Sequence, residues 1–330
     1  MDGVAYIVTV FDKRAYLPRV TDALRRQSGA FEREFIFVDD GSSDGSADLL
    51  AALTRGWSDR VVILRQENRG ASAATNLGAA RARFPWLKLV DGDDLLVPDA
   101  TARLIAAATE TGQSLAYGEL GTYRFDNPDP LKEQFTLPPY RTEADGLARF
   151  IRNCPCNSST ILVSSERYWA AGGCDERLVS PDQALFLRLF AKGGAAYIPG
   201  PVALVPDKAP RRLSEQTGRS RYESVLALYY LVTETSGLHR RYVARAYRRA
   251  MSRACRFHRA HRGSPLSRHL LRYLASMIRV PAAPGPQIYR ALGAFTEDGS
   301  SERPSSWKPG ALRALEGSRA DEPLRTAAKA

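Results

Sequence analysis

Short apolar runs alternate with helical spacing through the first hundred residues. VAYIVTV (4–10), EFIFV (34–38), RVVIL (60–64) and WLKLV (86–90) have the length of strands, and Leu17, Val20 and Leu24, then Leu49, Leu50 and Leu53, recur at helical spacing between them. Strands separated by helices predict right-handed βαβ crossovers and a parallel sheet over residues 1 to about 110. The pattern loosens from Leu115 to Pro206, with a Pro-rich stretch at Asn127–Tyr140, a strand-like Ser159–Val163 and a helix starting near Ser180. After Pro210 the chain turns helical and basic, and from Gly299 onward it loses apolar spacing and reads as a disordered tail. No internal repeat is visible.

The acidic residues cluster where such a sheet would place them together. Asp39 and Asp40 follow the second run, Asp91, Asp93 and Asp94 follow the fourth, and Thr9, Phe11 and Asp12 end the first. In a parallel sheet these ends share one edge, and open α/β sheets bind ligands in the crevice outside it. Acids crowded there repel each other unless a cation offsets them, and DGD presents oxygen ligands to a hard ion such as Mg²⁺ or Mn²⁺. Taken singly, each cluster also reads as local structure: DDGSSDGS as a turn with Asp44 or Ser46 capping a helix, DGDD as a turn leading to a helix at Pro98.

Four successive stretches, YIVTVFDKRAYLPRVTDALRRQ, FIFVDDGSSDGSADLL, VVILRQENRGASAATNLGAARA and LKLVDGDDLLVPDA, resemble the nucleotide-sugar half of family 2 glycosyltransferases. A later one, AAGGCDERLVSPDQALFLRLFAKGGAAYIPGPVALV, resembles the acceptor half of that family, and together they cover most of residues 4 to 205. The resemblance implies an α/β fold of GT-A type, with a mostly parallel central sheet flanked by helices and here a C-terminal helical extension. Its implied boundaries are 1–110 for the nucleotide-sugar half and 111–210 for the acceptor half, and the change in composition sets 211–295 as the basic helices and 296–330 as the tail. It implies an inverting transfer of a sugar from a nucleotide diphosphate, UDP in the usual case, to an acceptor hydroxyl of a glycan or glycolipid, with Mn²⁺ or Mg²⁺ as cofactor.

Residue by residue, Thr9, Phe11 and Asp12 stand at the family's Pro-x-Tyr-Asn base-binding turn, and Asp40 at the carboxylate that bonds the nucleobase. Phe11 keeps a stacking face without a hydroxyl, and Asp12 in place of Asn leaves only acceptors, which bears on the preference for uridine. Arg69 and Asn76 match positions lining the nucleotide pocket, Asp91 the carboxylate that meets ribose or metal, and Asp93 the metal ligand on the diphosphate. Asp182 matches the general base. Ser180, Pro181 and Asp182 equally make a good helix start, and Pro181 replaces the family's usual Glu; Asp175 and Glu176 are reserve candidates for acceptor contacts. A non-catalytic scaffold that keeps the fold stays open on that account.

Charge and composition refine the picture. The chain is 44% apolar and 25% charged, enough for a sizeable core. Its net charge is +11, yet Thr235–Thr296 alone holds 13 arginines and no Lys, Asp or Glu, so the rest is slightly acidic. Within that block Tyr242, Val243, Ala246, Tyr247, Ala250, Met251, Ala254 and Phe257 recur at three and four, followed by Leu266, Leu270, Leu271, Leu274, Met277 and Ile278. Arginine-rich amphipathic helices over 238–279 suit an anionic membrane surface, or pack their apolar stripe on the catalytic domain with solvated arginines. Nucleic acid is not expected, for no zinc, homeodomain or RNA-binding signature accompanies the arginines.

The longest uncharged stretch, Gly193–Pro206, is short and Pro-broken, and Met1-Asp2-Gly3 puts an acid where a secretory signal has base. A cytoplasmic protein, peripheral at most on the inner face of the membrane, is the expectation, with Cys154, Cys156, Cys174 and Cys255 as free thiols. A dinucleotide oxidoreductase would need glycines where VFDKRAY has none. Lys208, Arg211 and Arg212 are placed to close over a diphosphate, and no histidine lies between Asp182 and His239.

Overall fold

The computed structural model describes residues 3–132, 138–207, 217–262, 266–296, 299 and 301. The four apolar runs form strands β1 (Gly3–Val10), β2 (Glu32–Asp39), β3 (Arg60–Arg65) and β4 (Trp86–Asp91). Helices α1 (Leu17–Arg25), α2 (Ser46–Leu53) and α3 (Ala71–Arg81) connect them, and all pairings in the order β3-β2-β1-β4 are parallel. Alternate residues of β1 enter different cores: Ala5 and Ile7 join one hydrophobic cluster, while Val4, Tyr6 and Val8 join another. That double burial is why these strands read as unbroken apolar runs with no polar alternation.

The sheet continues through β5 (Leu95–Leu96), β6 (Leu115–Tyr123), β7 (Arg141–Glu143), β8 (Ile161–Ser164) and β9 (Ala195–Pro206), in the order β3-β2-β1-β4-β8-β6-β9-β5, with β7 on β9. Six of the nine strands point one way, since β8 is antiparallel to both β4 and β6, β6 is parallel to β9, and β5 and β7 run against β9. The mostly parallel α/β architecture is thus present, and the reversed strands β5, β7 and β8 all lie beyond β4 in the sheet. Reversal of β8 has a local consequence. Its first residues lie beside the carboxyl end of β4, so the chain entering it passes over the acidic loop.

Helices α4 (Ala100–Glu110), α5 (Gly146–Arg152), α6 (Ser165–Ala170) and α7 (Asp182–Ala191) complete the layers. Phe150 of α5 stacks on Phe186 of α7 with ring centroids 4.7 Å apart. The helix expected near Ser180 has Pro181 at its N-cap without a side-chain capping bond, and Asp182 is its first helical residue. Ser180 serves differently: its amide, like that of Val179, donates to the buried Glu223 carboxylate.

The basic segment forms α8 (Thr217–Glu234), α9 (Arg240–Arg262), α10 (Arg268–Ile278) and α11 (Gly285–Ala291). Ala246, Tyr247, Ala250, Met251 and Ala254 of α9 are buried in the same cluster as Phe150 and Phe186, so its apolar stripe packs on the domain. On α10 the outcome is opposite, with Leu271 67%, Leu274 50%, Met277 55% and Ile278 89% exposed. No helix among the described residues is long and apolar enough to cross a membrane. All four cysteines are free. Lys208, Arg211 and Arg212, and nearly all of the expected tail, lie outside the described residues.

Candidate active site

Parallel strands bring the ends of β1, β2 and β4 side by side, with Thr9 paired to Val38 on one flank and Asp91 on the other. The β1 exit loop is tied to both acidic loops. On the β2 side, the Asp12 amide donates to Ser42 Oγ at 3.0 Å, the Lys13 amide donates to Ser46 Oγ at 3.2 Å, and Asp12 Oδ1 accepts from the Ser43 amide at 2.8 Å. Asp12 is in the left-handed region at φ 49°, a conformation that Asp tolerates better than most side chains. The turn leaves Phe11 45% exposed, with a free aromatic face at the crevice.

Asp40 is buried and well supplied with donors. Its Oδ1 accepts from Gln66 Nε2 at 2.7 Å and the Arg69 amide at 2.8 Å, and its Oδ2 from the Gly70 amide at 2.8 Å. It therefore pins the loop entering α3 against the end of β2. Asn76 is similarly engaged: Nδ2 donates to Cys174 O and Glu176 Oε1, and Oδ1 accepts from Tyr168 Oη and the Cys174 amide. Arg69 pairs with Glu176 at 3.0 Å while staying partly exposed. Of the reserve acids, Asp175 is held by Arg177 and Arg188 at 2.7 and 2.8 Å, and Glu176 by Arg69 and Asn76.

At the end of β4 the chemistry differs, because acids meet acids. Gly92 keeps Asp91 and Asp93 close to β1: a Cβ on it would come within 2.7 Å of Thr9 O. Lys13 Nζ donates to Asp93 Oδ2 at 2.5 Å. The segment before β8 straps the loop from above. Asn157 Nδ2 reaches Asp94 Oδ2 at 2.6 Å and Asp91 Oδ2 at 3.4 Å, and Ser159 Oγ donates to Asp94 Oδ2 at 2.7 Å and accepts from the Asp91 amide at 2.9 Å. Between those residues, Ser158 donates through both its amide (2.9 Å) and hydroxyl (2.7 Å) to Asp182 Oδ1. One three-residue strap thus joins the DGDD loop to the first turn of α7. No described residue donates to the other oxygen of Asp182.

Burial pushes the Asp91 carboxyl well above the usual range, and the charges of Asp94, Asp182 and Asp93 push further, with Lys13 opposing. Asp182 is raised by burial, against the two Ser158 hydrogen bonds that favour its ionised form. Beneath the strap, Lys88 is fully buried and donates to Ser159 O at 2.5 Å and Leu89 O at 3.0 Å. Burial pulls its ammonium down to about 7, while Asp94 and Asp91 favour the charged form. Lys13, Lys88 and the Asn157–Ser159 strap carried no role in the reading of the sequence. Lys88 had a signal, as the one charge inside WLKLV; Asn157–Ser159, running into the start of an expected strand, had none.

Among the described residues no group of three His, Cys, Asp or Glu side chains could hold an ion unaided. The donor set fits a different arrangement. Asp91 and Asp93 supply hard oxygens from one loop, as for a Mg²⁺ or Mn²⁺ ion that completes its shell with substrate phosphates.

Residues 6–165 match the family model described as Glycosyl transferase family 2. This stretch is a family 2 glycosyl transferase domain. The family 2 match spans Thr9 through Asp94 and the strap, and stops before Asp182. The succinoglycan biosynthesis protein ExoO of Rhizobium meliloti is 31% identical over 124 residues, 37% of this chain and 34% of its own length. The chain thus spans about a third of that relative. Among solved structures, S. aureus TarS in complex with UDP-GlcNAc matches with a TM-score of 0.61 at 16% identity, over 89% of this chain and 80% of that one. The mannosyltransferase PcManGT of Pyrobaculum calidifontis, in complex with GDP-Man and Mn²⁺, matches at 0.56 and 14%, over 88% and 85%. At these identities the likeness is one of fold, and it extends beyond the family 2 stretch into the second half.

Proposed function

We propose that the chain is an inverting, divalent-metal-dependent glycosyltransferase that moves a sugar from a nucleoside diphosphate, UDP in this reading, to an acceptor hydroxyl. The observation that carries the proposal is the Asn157–Ser159 strap, which bonds the acidic loop through its outer residues and Asp182 through its middle one. A base and a diphosphate-facing acid loop fixed by one short segment are what direct displacement at an anomeric carbon needs.

In this reading residues 1–110 hold the nucleotide sugar and 111–210 the acceptor. Phe11 stacks on the base, Thr9, Asp12 and Asp40 shape its pocket, and Asn76 supports Arg69 through Glu176. Asp91 meets the ribose or the ion, and Asp93 the ion. A bound Mn²⁺ or Mg²⁺ supplies the positive charge that offsets the departing diphosphate. Asp182 takes the acceptor proton as the hydroxyl oxygen attacks the anomeric carbon; the bond to the phosphate oxygen breaks, and its electron pair leaves with the nucleoside diphosphate. Ser158, holding Oδ1, leaves the second oxygen to face the acceptor.

The UDP-GlcNAc and GDP-Man complexes of TarS and PcManGT support a nucleotide-sugar donor, PcManGT's Mn²⁺ supports the ion, and ExoO's part in succinoglycan biosynthesis supports a role in polysaccharide or glycolipid synthesis. Such work fits a cytoplasmic enzyme resting on the inner face of the membrane through 238–279. The test is nucleoside diphosphate release across a panel of sugar donors with Mn²⁺, with the anomeric configuration of the product read by NMR. Turnover with inversion is expected; donor binding without turnover would make the chain a scaffold and sink the proposal.

A further inference from the structure

A cavity of about 570 Å³ opens between α5, α9 and α10, away from the acidic loops, and Arg149, Arg152, Arg245, Arg248 and Arg249 line it without one acidic side chain. Like charges gathered in a concave site repel unless an anion enters. Two of the five have carboxylates at hand: Arg149 reaches Glu143 at 3.5 Å, and Arg245 reaches Asp145 at 4.0 Å. Arg152, Arg248 and Arg249 form no ion pair among the described residues. Arg249 is the most telling. Its Nε is buried without a hydrogen-bond partner, and its guanidinium is pulled below its usual range by burial and by the charges of Arg256, Arg221 and Arg152. A buried donor with no acceptor is costly, and its natural complement is an oxygen-rich anion.

The rim says which anion. Tyr273 and Met277 of α10 close the cavity on one side, and Met277 also belongs to the exposed row Leu271, Leu274, Met277 and Ile278, spaced at three and four. Basic hollow and bare apolar ridge are therefore contiguous, and a soluble phosphate would use only the first.

We propose that this cavity seats the phosphate headgroup of an anionic membrane lipid while the α10 ridge enters the acyl boundary. The inference rests on reading 238–279 as the membrane-facing surface and is independent of sugar transfer. Arg249 lines the cavity, and the buried Arg253, one turn on, bonds Gln183 next to Asp182, so α9 touches both the lipid site and the helix of the candidate base.

Full-length protein is mixed with vesicles of phosphatidylcholine alone or with added phosphatidic acid, and separately with monomeric dihexanoyl phosphatidic acid. Binding to the acidic vesicles is expected, with little to neutral ones. Arg152→Gln with Arg249→Gln should weaken it by about fivefold per arginine removed. Arg152→Gln with Arg248→Gln, both exposed, should give a similar loss while leaving Arg249 in place; it removes one bond between α9 and α10, from Arg248 Nε to Ser276 O at 3.2 Å, so its fold is checked by circular dichroism. Leu271→Ser with Leu274→Ser, on the exposed row but not lining the cavity, should abolish vesicle binding and spare the monomeric lipid. If arginine variants bind acidic vesicles as wild type does, the cavity proposal falls and the membrane-facing reading survives. If wild type binds neither vesicle type, both fall. Inorganic phosphate or duplex RNA binding as tightly as the lipid also overturns it.

Discussion

Two acidic loops stand at adjacent strand ends and are satisfied in opposite ways. After β2, Asp40 receives three hydrogen bonds from Gln66 and the Arg69 and Gly70 amides, and the buried Asp39 accepts from the Ser42 amide and pairs with Arg65 at 3.3 Å. After β4, Asp91, Asp93 and Asp94 face one another and Asp182, with Lys13 bonded to Asp93 as counter-charge. Carboxylates met by fixed amide donors shape a loop. Carboxylates that have donors of their own but also crowd one another keep an excess of negative charge that a substrate-borne ion can offset.

The largest expected effect is on the acid-rich side. Asp182→Asn should lower kcat for nucleoside diphosphate release by about 10²–10⁴-fold, the range for loss of a general base, with donor affinity unchanged. Full turnover in that variant would remove Asp182 from the chemistry while leaving the fold. Asp93→Asn should cost about 10²–10³-fold, the range for losing a stabiliser of developing charge, and a chelator should silence the wild type.

Stability sharpens the contrast. Asp40→Ala leaves the Arg69 and Gly70 amides without acceptors and should destabilise by about 2–4 kcal/mol in urea unfolding. Asp91→Asn, which removes like-charge crowding, should leave stability unchanged or raise it at neutral pH. Equal losses in the two variants would erase the distinction between the loops.

Acidity gives the smallest effect and a sign. The folded carboxyl of Asp182 titrates above its ordinary value, so turnover should fall as pH drops through that raised range. Its effect on folding is opposite: the favourable contribution is complete below the unfolded value near pH 4 and is lost as pH rises through the raised folded one. Asp175 behaves in reverse. Burial would raise it, but Arg177 and Arg188 hold it below the usual range, so its contribution is present above about pH 4 and disappears as pH falls further. Unfolding midpoints of Asp182→Asn and Asp175→Asn against wild type from pH 3 to 8 check both slopes.

Much of this was legible along the chain. The periodicities that marked β1 to β4 and α1 to α3 are local, and acids directly after apolar runs had to lie on one edge once the strands were parallel. Asp44 was also readable as a turn acceptor, and it does accept from the Ser46 amide. Asn76 was not: its amide is spent on Cys174, Glu176 and Tyr168, partners about a hundred residues away in sequence. Two similar amphipathic patterns likewise gave α9 a buried stripe and α10 an exposed one.

Alone, the sequence determined the alternation of elements, the candidate carboxylates and the concentration of arginine in one segment, because each is set within a few turns or pleats of backbone. Tertiary structure decided that β8 enters the sheet reversed between β4 and β6, which lays Asn157–Ser159 across the acids and brings Asp182 to them. It also decided which apolar faces found cover. Period is a local property of a chain, whereas the choice of partner depends on every other surface competing for it.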